Sequence, residues 1–139
     1  MQLLYYSNGH DPAHRRLKAA IHRAVPESQI ESFTKLEGFS QRIRKPIEPD
    51  SIAVLSASSR AELQQMQPLR GLLPEIYVVL VIPDRSKRTI ELAHLLLPRF
   101  LSEKGSDFAD LIIVLNKMYL NSQPSELGRY QVSRRRTAL

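Results

Sequence analysis

Residues 52–55 read Ile-Ala-Val-Leu, an unbroken apolar run of the kind found in a central parallel strand that is buried on both faces. Other short strand-like runs occur along the 139-residue chain, and helical patterns separate them; the run that ends at Phe33 alternates polar and apolar residues, as an edge strand does. These runs are Leu3–Tyr6, Ile30–Phe33, Tyr77–Ile82 and Leu111–Leu115. The alternation predicts one α/β domain, a three-layer sandwich around a five-stranded, mainly parallel sheet.

The segments between the runs carry signals for helix starts and breaks. Asp11-Pro12 suits the N-cap and first position of a first helix, and Thr34-x-x-Glu37 and Ser59-x-x-Glu62 fit the capping-box pattern. Asp84 can cap a fourth helix, and Pro68 predicts a kink or break in the third. Four helices are therefore expected between the five strands.

The pattern stops after Lys117. We expect residues 1–117 to form the domain and residues 118–139 to be a basic C-terminal tail, partly ordered or packed on a partner. A fifth helix is expected to be weak or absent. The sheet face near the fourth and fifth strands would then lack its cover, and exposed apolar surface of that size marks an interaction site. We expect a homodimer in which a second copy of the chain covers this face. The tail residues that could cover this face are Leu120, Leu127, Tyr130 and Val132.

Composition narrows the functional classes. The chain has no cysteine, which excludes disulfides, thiolate metal sites and a cysteine nucleophile. Met1 leads directly into the first strand without the pattern of a signal peptide, so we expect a cytoplasmic protein. No apolar run approaches the length of a membrane span, and no membrane partner is expected. The net charge of +6 permits binding to polyanions without selecting one.

The layout of five β/α units without a glycine-rich phosphate loop resembles the flavodoxin-like group, whose strand order is 2-1-3-4-5. Within that group it is similar to the receiver domain of bacterial response regulators. The resemblance implies an acidic pair after strand one, a phospho-accepting aspartate after strand three, a Ser/Thr after strand four and a lysine after strand five. Here Ser7-Asn8, Ser56 and Ile82 stand at the first three places, and Lys117 stands at the fourth.

The resemblance therefore implies a degenerate receiver without the acids that hold Mg²⁺, used for protein contacts. Neither a metal nor another cofactor is expected. Ser56 also lacks the glycine-flanked elbow that presents a hydrolase nucleophile, so we expect no enzymatic activity.

Two alternatives remain open. Parallel sheets bind ligands beyond the carboxyl ends of their strands, where backbone N–H groups and a helix N-terminus favour anions. A small anion or a nucleotide phosphate could bind there, and the candidate residues are Ser7, Asn8, Gly9, Ser56, Ser58 and Lys117. The second alternative is a nucleic-acid adaptor that uses the basic tail, which contains Arg134–Arg136.

Overall fold

The structure, a computed structural model, describes residues 1–73 and 76–123. Five parallel strands form one sheet in the order β2-β1-β3-β4-β5, which confirms the predicted α/β fold and strand order. The strands are β1 (Leu3–Tyr6), β2 (Ile30–Phe33), β3 (Ile52–Ser56), β4 (Tyr77–Ile82) and β5 (Phe100–Glu103).

Helices cover both faces of this sheet. They are α1 (His14–Ala24), α2 (Leu36–Ile43), α3 (Arg60–Gln65), α4 (Lys87–His94) and α5 (Ala109–Ser122), with short 3-10 segments at Glu27–Gln29 and Gln67–Leu72. Helix α3 gives way to the second 3-10 segment around Pro68, which confirms the predicted break. No helix within the two described ranges is both long and apolar enough to cross a membrane.

Strand alternation divides the interior into two apolar cores. In β1, Leu3 and Tyr5 point toward α1 and α5, whereas Leu4 and Tyr6 point toward α2, α3 and α4. β3 divides in the same way, and its residues 52–56 are all buried. The sandwich therefore has an α1–α5 layer on one face and an α2–α4 layer on the other.

The predicted fifth strand is wrong. Leu111–Leu115 lies inside α5, and β5 is Phe100–Glu103, earlier in the chain. Leu111 and Leu115, four residues apart, are fully buried against the sheet, as one face of a helix requires. A short apolar run does not by its periodicity alone distinguish a buried strand from a buried helix segment.

The expectation of a weak or absent fifth helix is wrong for the same reason. Helix α5 packs on the sheet next to α1. The sheet face near β4 and β5, which was expected to be uncovered, is therefore covered by this helix. The proposed boundary at residue 117 falls within this helix. Of the four tail residues proposed for an interface, Leu120 lies on α5, and Leu127, Tyr130 and Val132 lie outside the described residues.

The helix starts agree with the sequence in part. Ser59 caps α3 by accepting a bond from the Glu62 amide, as predicted. Lys35 precedes α2 with no side-chain cap, so the capping role given to Thr34 is wrong. Ser86 caps α4 instead of Asp84, because Asp84 accepts from the Ser86 amide and forms the turn just before the helix.

Candidate functional site

The carboxyl ends of the parallel strands meet at one edge of the sheet, which we call the crevice. At its centre is Lys104, the residue that follows β5. Its Nζ lies 3.2 Å from Oδ1 of Asp11, in the loop after β1, and donates to the carbonyl oxygen of Ser58, after β3, at 3.3 Å. One side chain thereby joins the loops after β1, β3 and β5.

The placement of Lys117 in the crevice is wrong. It is an exposed residue of α5, in the second half of that helix. The error follows from the misplaced fifth strand, because the lysine that follows the true β5 is Lys104. The sequence does contain a signal for the true position of β5. Pro98 is unfavourable for continuing α4, and Lys104-Gly105 has the composition of a turn directly after the short strand.

Asp11 is the buried carboxylate of the crevice. Only 1% of its side chain is exposed, and Oδ1 also accepts from the Ala13 amide at 2.9 Å. Asp11 is predicted from the sequence to cap the first helix; it organises the turn before α1, but the helix begins later, at His14, and its N-cap residue is Ala13. The second role of Asp11 is to pair with Lys104. The two residues are 93 positions apart in the sequence, so no local pattern could predict this contact.

Two of the buried serines, Ser7 and Ser56, line the same edge. Ser7 follows β1, Ser56 ends β3, and both are almost completely buried. Neither hydroxyl has a hydrogen-bond partner among the described residues, and the same holds for Oδ2 of Asp11. Buried polar atoms of this kind are normally hydrogen-bonded, which makes these three oxygens candidates for contact with a polar ligand.

The other predicted anion-site residues are engaged in their own turns. Oδ1 of Asn8 accepts from the His10 amide at 2.9 Å, and the exposed Gly9 lies within that turn. Ser58 donates both its amide and its hydroxyl to Oε1 of Glu62. The amide expected to face an anion is therefore already bound to a carboxylate.

Glu62 extends this arrangement to the α2–α4 layer. Its Oε2 accepts from the Tyr6 hydroxyl at 2.7 Å, so one carboxylate connects β1 to the loop before α3. Burial, the hydrogen bond to Glu62 and the charge of that carboxylate raise the pKa of Tyr6 above its ordinary value. Tyr6 therefore acts as a neutral donor.

The far side of the crevice is more exposed. Arg85, after β4, pairs with Glu103 at 3.1 Å. Asp84 accepts from the Ser86 amide, and hydrogen bonding by the Ser86 side chain and amide lowers the pKa of Asp84. Within residues 1–73 and 76–123 no group of three or more metal-ligating side chains comes together. The crevice offers a buried ion pair, an exposed ion pair and two buried hydroxyls.

Comparison with known proteins gives a fold relationship. No protein-family model matches the chain, and no curated protein matches it. Among solved structures, the chain is similar to a crystal structure assigned to the pilus assembly protein CpaE from Burkholderia thailandensis, with a TM-score of 0.58 and 19% sequence identity. The match covers 85% of this chain and 98% of that chain. At this identity the similarity shows the shared α/β fold.

Proposed function

We propose that this protein is a cytoplasmic, non-enzymatic, receiver-like domain that regulates through protein contacts. The observation that carries the proposal is the pairing of Lys104 with the buried Asp11. The strand order and a lysine after β5 agree with a receiver, and a serine ends β3 where that family has its acceptor aspartate. The fold similarity to a pilus assembly protein is compatible with a regulatory part in a larger assembly.

The chemistry of the crevice supports a domain that does not transfer phosphoryl groups. Mg²⁺ takes oxygen ligands and is usually held by one or two carboxylates together with phosphate oxygens. Here the positions after β1 are Ser7 and Asn8, and the nearby carboxylate of Asp11 already faces an ammonium group. Hydrolysis at Ser56 would need a base within hydrogen-bond reach, and its hydroxyl has no partner among the described residues.

The test is incubation with acetyl phosphate and Mg²⁺, followed by intact mass measurement. We expect no phosphoryl adduct, while a phosphorylatable receiver domain treated in parallel gains one. Asp11→Asn is the informative variant, because Asp11 is the buried carboxylate of the described residues. A phosphoryl adduct that forms on the native chain and disappears in Asp11→Asn would overturn the proposal.

The unpartnered hydroxyls of Ser7 and Ser56 support a second candidate, a small-anion site in which Lys104 takes the place given to Lys117. An anion would have to displace or share the Asp11 contact, so we expect weak binding. A thermal-shift titration with inorganic phosphate and with nucleotides tests this, because a ligand that binds only the native state raises Tm. A Tm increase that Lys104→Met abolishes supports the candidate, and no shift at millimolar ligand removes it.

The dimer proposal also needs a new basis, because α5 covers the face that it relied on. β5 is an edge strand, and no segment of the described chain pairs with its outer side. Leu95 and Leu97 are exposed in the segment that leads into it. An open edge flanked by apolar side chains favours pairing with a second copy through a twofold axis.

Leu97→Asn tests this dimer. Leu97 is 75% exposed with φ of 53°, a conformation that asparagine tolerates better than leucine, so the monomer should keep its stability. We expect sedimentation to show a dimer for the native chain and a monomer for Leu97→Asn, with Leu120→Asn as the control that stays dimeric. A native monomer at every accessible concentration contradicts the proposal.

A further inference from the structure

Helix α1 carries a concentrated positive charge that no acidic residue of the helix offsets. Its 11 residues include four Arg or Lys side chains and no acidic one. Arg16 donates to carbonyl groups in the loop between β5 and α5. In contrast, Arg15, Lys18 and Arg23 are exposed and belong to none of the ion pairs formed by the described residues.

The neighbouring helix α5 adds large aliphatic side chains to this surface. Ile113 is 66% exposed and Leu120 is 59% exposed. They are seven residues apart, so they lie two turns apart on one helix face. Asn116 lies between them, and its Nδ2 donates to the carbonyl oxygen of Ala24 at 3.0 Å, which places this face beside α1. Asp110, in the first turn, is the acidic residue of α5.

We propose that the outer surface of α1 and α5, formed by Arg15, Lys18, Arg23, Ile113 and Leu120, binds the headgroup region of an anionic lipid bilayer. Basic side chains are attracted to the negative surface potential of such a bilayer, and aliphatic side chains can enter the boundary between headgroups and acyl chains. Both helices stay packed on the sheet through buried residues, so the surface binds as a preformed unit.

The arrangement favours a bilayer over a macromolecular partner. Lysine is depleted at protein interfaces whereas arginine is enriched there, so Lys18 is the cation of this surface that fits a protein partner less well. Single-stranded nucleic acid is held by aromatic side chains, and the exposed large apolar residues of these two helices are both aliphatic. The described residues line cavities of about 790 Å³ and 190 Å³; α1 contributes to neither of these two, and the C-terminal end of α5 lines the smaller one.

The expectation that no membrane partner exists rested on the absence of a spanning segment. Binding at a membrane surface needs no span, and it depends on where charges and exposed aliphatic side chains come together. This proposal is independent of the proposed function, because the crevice lies at the carboxyl ends of the strands and contributes none of the five residues.

The experiment is co-sedimentation of the full chain with vesicles of phosphatidylserine and phosphatidylcholine in equal parts, and with vesicles of pure phosphatidylcholine. We expect binding to the anionic vesicles only, and a loss of binding as salt is raised. The variant Arg15→Gln/Lys18→Gln/Arg23→Gln should bind about a hundredfold more weakly, since each basic residue near the surface contributes about fivefold. Ile113→Ser/Leu120→Ser should also weaken binding.

The matched control is Arg44→Gln/Lys45→Gln/Arg70→Gln, which removes the same charge from three exposed residues elsewhere. It should retain most of the binding. Equal losses in the two triple variants would show attraction by net charge alone and would overturn the assignment of this surface. Three other results would also overturn the proposal: no binding to anionic vesicles, unchanged binding of Ile113→Ser/Leu120→Ser, or tighter binding to duplex DNA in the same buffer.

Discussion

The two helical layers of this molecule cover the same sheet, yet their outer surfaces differ. The α2–α4 layer mixes charges of both signs: Arg88 approaches Glu91 on α4, and Arg42 of α2 pairs with Glu31 of β2. In the α1–α5 layer, the cations of α1 have no acidic partner on their own helix. Packing on the sheet constrains only the inner face of a helix, and this difference between the outer faces is the reason for proposing the α1–α5 layer as the surface for an anionic partner.

The inner faces of the two layers, in contrast, should contribute equally to the free energy of unfolding. The largest predicted effect tests this expectation. Leu3 and Leu4 are adjacent and fully buried, and they point into the two different cores. We expect Leu3→Ala and Leu4→Ala each to lower the free energy of unfolding by about 2–5 kcal/mol, measured by urea denaturation. Leu120→Ala, at an exposed site, should change it by less than about 0.5 kcal/mol.

A small effect of either core variant would contradict the picture of two independent cores. If Leu3→Ala costs no more than Leu120→Ala, then the α1–α5 layer is not held by apolar burial. The proposal of a rigid surface on that layer would then fail with it.

The next effect concerns the link between the layers. Lys104 connects Asp11, just before α1, with Ser58, just before α3. Lys104→Met leaves a buried carboxylate without its counter-charge, and we expect a loss of about 1–3 kcal/mol in the free energy of unfolding. The lysine side chain is 25% exposed, which holds the cost below that of a fully buried pair.

A double-mutant cycle with Asp11→Asn isolates the pair. We expect a coupling energy of about 0.5–3 kcal/mol between the two sites. Arg85→Met is the comparison, because its pair with Glu103 is exposed and should contribute about 0–1 kcal/mol. Additive effects of Lys104→Met and Asp11→Asn would show that the contact does not hold the crevice together.

The position of Lys104 after β5 also shows which parts of the fold could be predicted from the sequence and which could not. The first four strands were predictable because β1, β3 and β4 are short apolar runs, and β2 has apolar residues at both ends of a short segment that fits an edge strand. β5 was missed because Phe100–Glu103 ends in Ser-Glu, while Leu111–Leu115 resembles a buried strand more closely. In α5 only Leu111 and Leu115 of this run are buried against the sheet, whereas Ile113 between them is 66% exposed, so the apolar run reflects burial on one face together with an exposed aliphatic residue on the other.

The candidate site was partly predictable for a related reason. Ser7 and Ser56 follow correctly identified strands, so the sequence places them at the right edge of the sheet. Lys104 could not be identified while the fifth strand was misplaced. Its pairing with Asp11 is a long-range contact, and only the strand order brings the two loops together.

A smaller effect is expected at the helix starts, where the layers differ again. In the α2–α4 layer, Ser59 and Ser86 cap α3 and α4 through their hydroxyls. Neither α1 nor α5 has such a cap. We expect Ser59→Ala and Ser86→Ala each to lower the free energy of unfolding by about 1 kcal/mol in urea titrations. Ser28→Ala, at an exposed position in a 3-10 segment, is the control. If Ser59→Ala and Ser86→Ala match that control, hydroxyl caps do not distinguish the layers.

The smallest effect is a pH dependence at the start of α4. Hydrogen bonds from the Ser86 side chain and amide hold the pKa of Asp84 below its ordinary value of 3.8. The stabilisation is therefore fully present above that value and is lost as pH falls through the lower folded-state pKa. Asp84→Asn should lower Tm slightly at neutral pH, and the difference from the native chain should vanish in strong acid.

Salt separates this effect from the behaviour of α1. Hydrogen bonds at Asp84 act at short range, so the Tm difference caused by Asp84→Asn should change little as salt is added. Repulsion among the exposed cations of α1 is screened by salt, so Arg15→Gln/Lys18→Gln/Arg23→Gln should raise Tm at low salt and lose that advantage at high salt. The reverse pattern would mean that the positive charge of α1 is compensated within the protein, and the contrast between the two layers would fail.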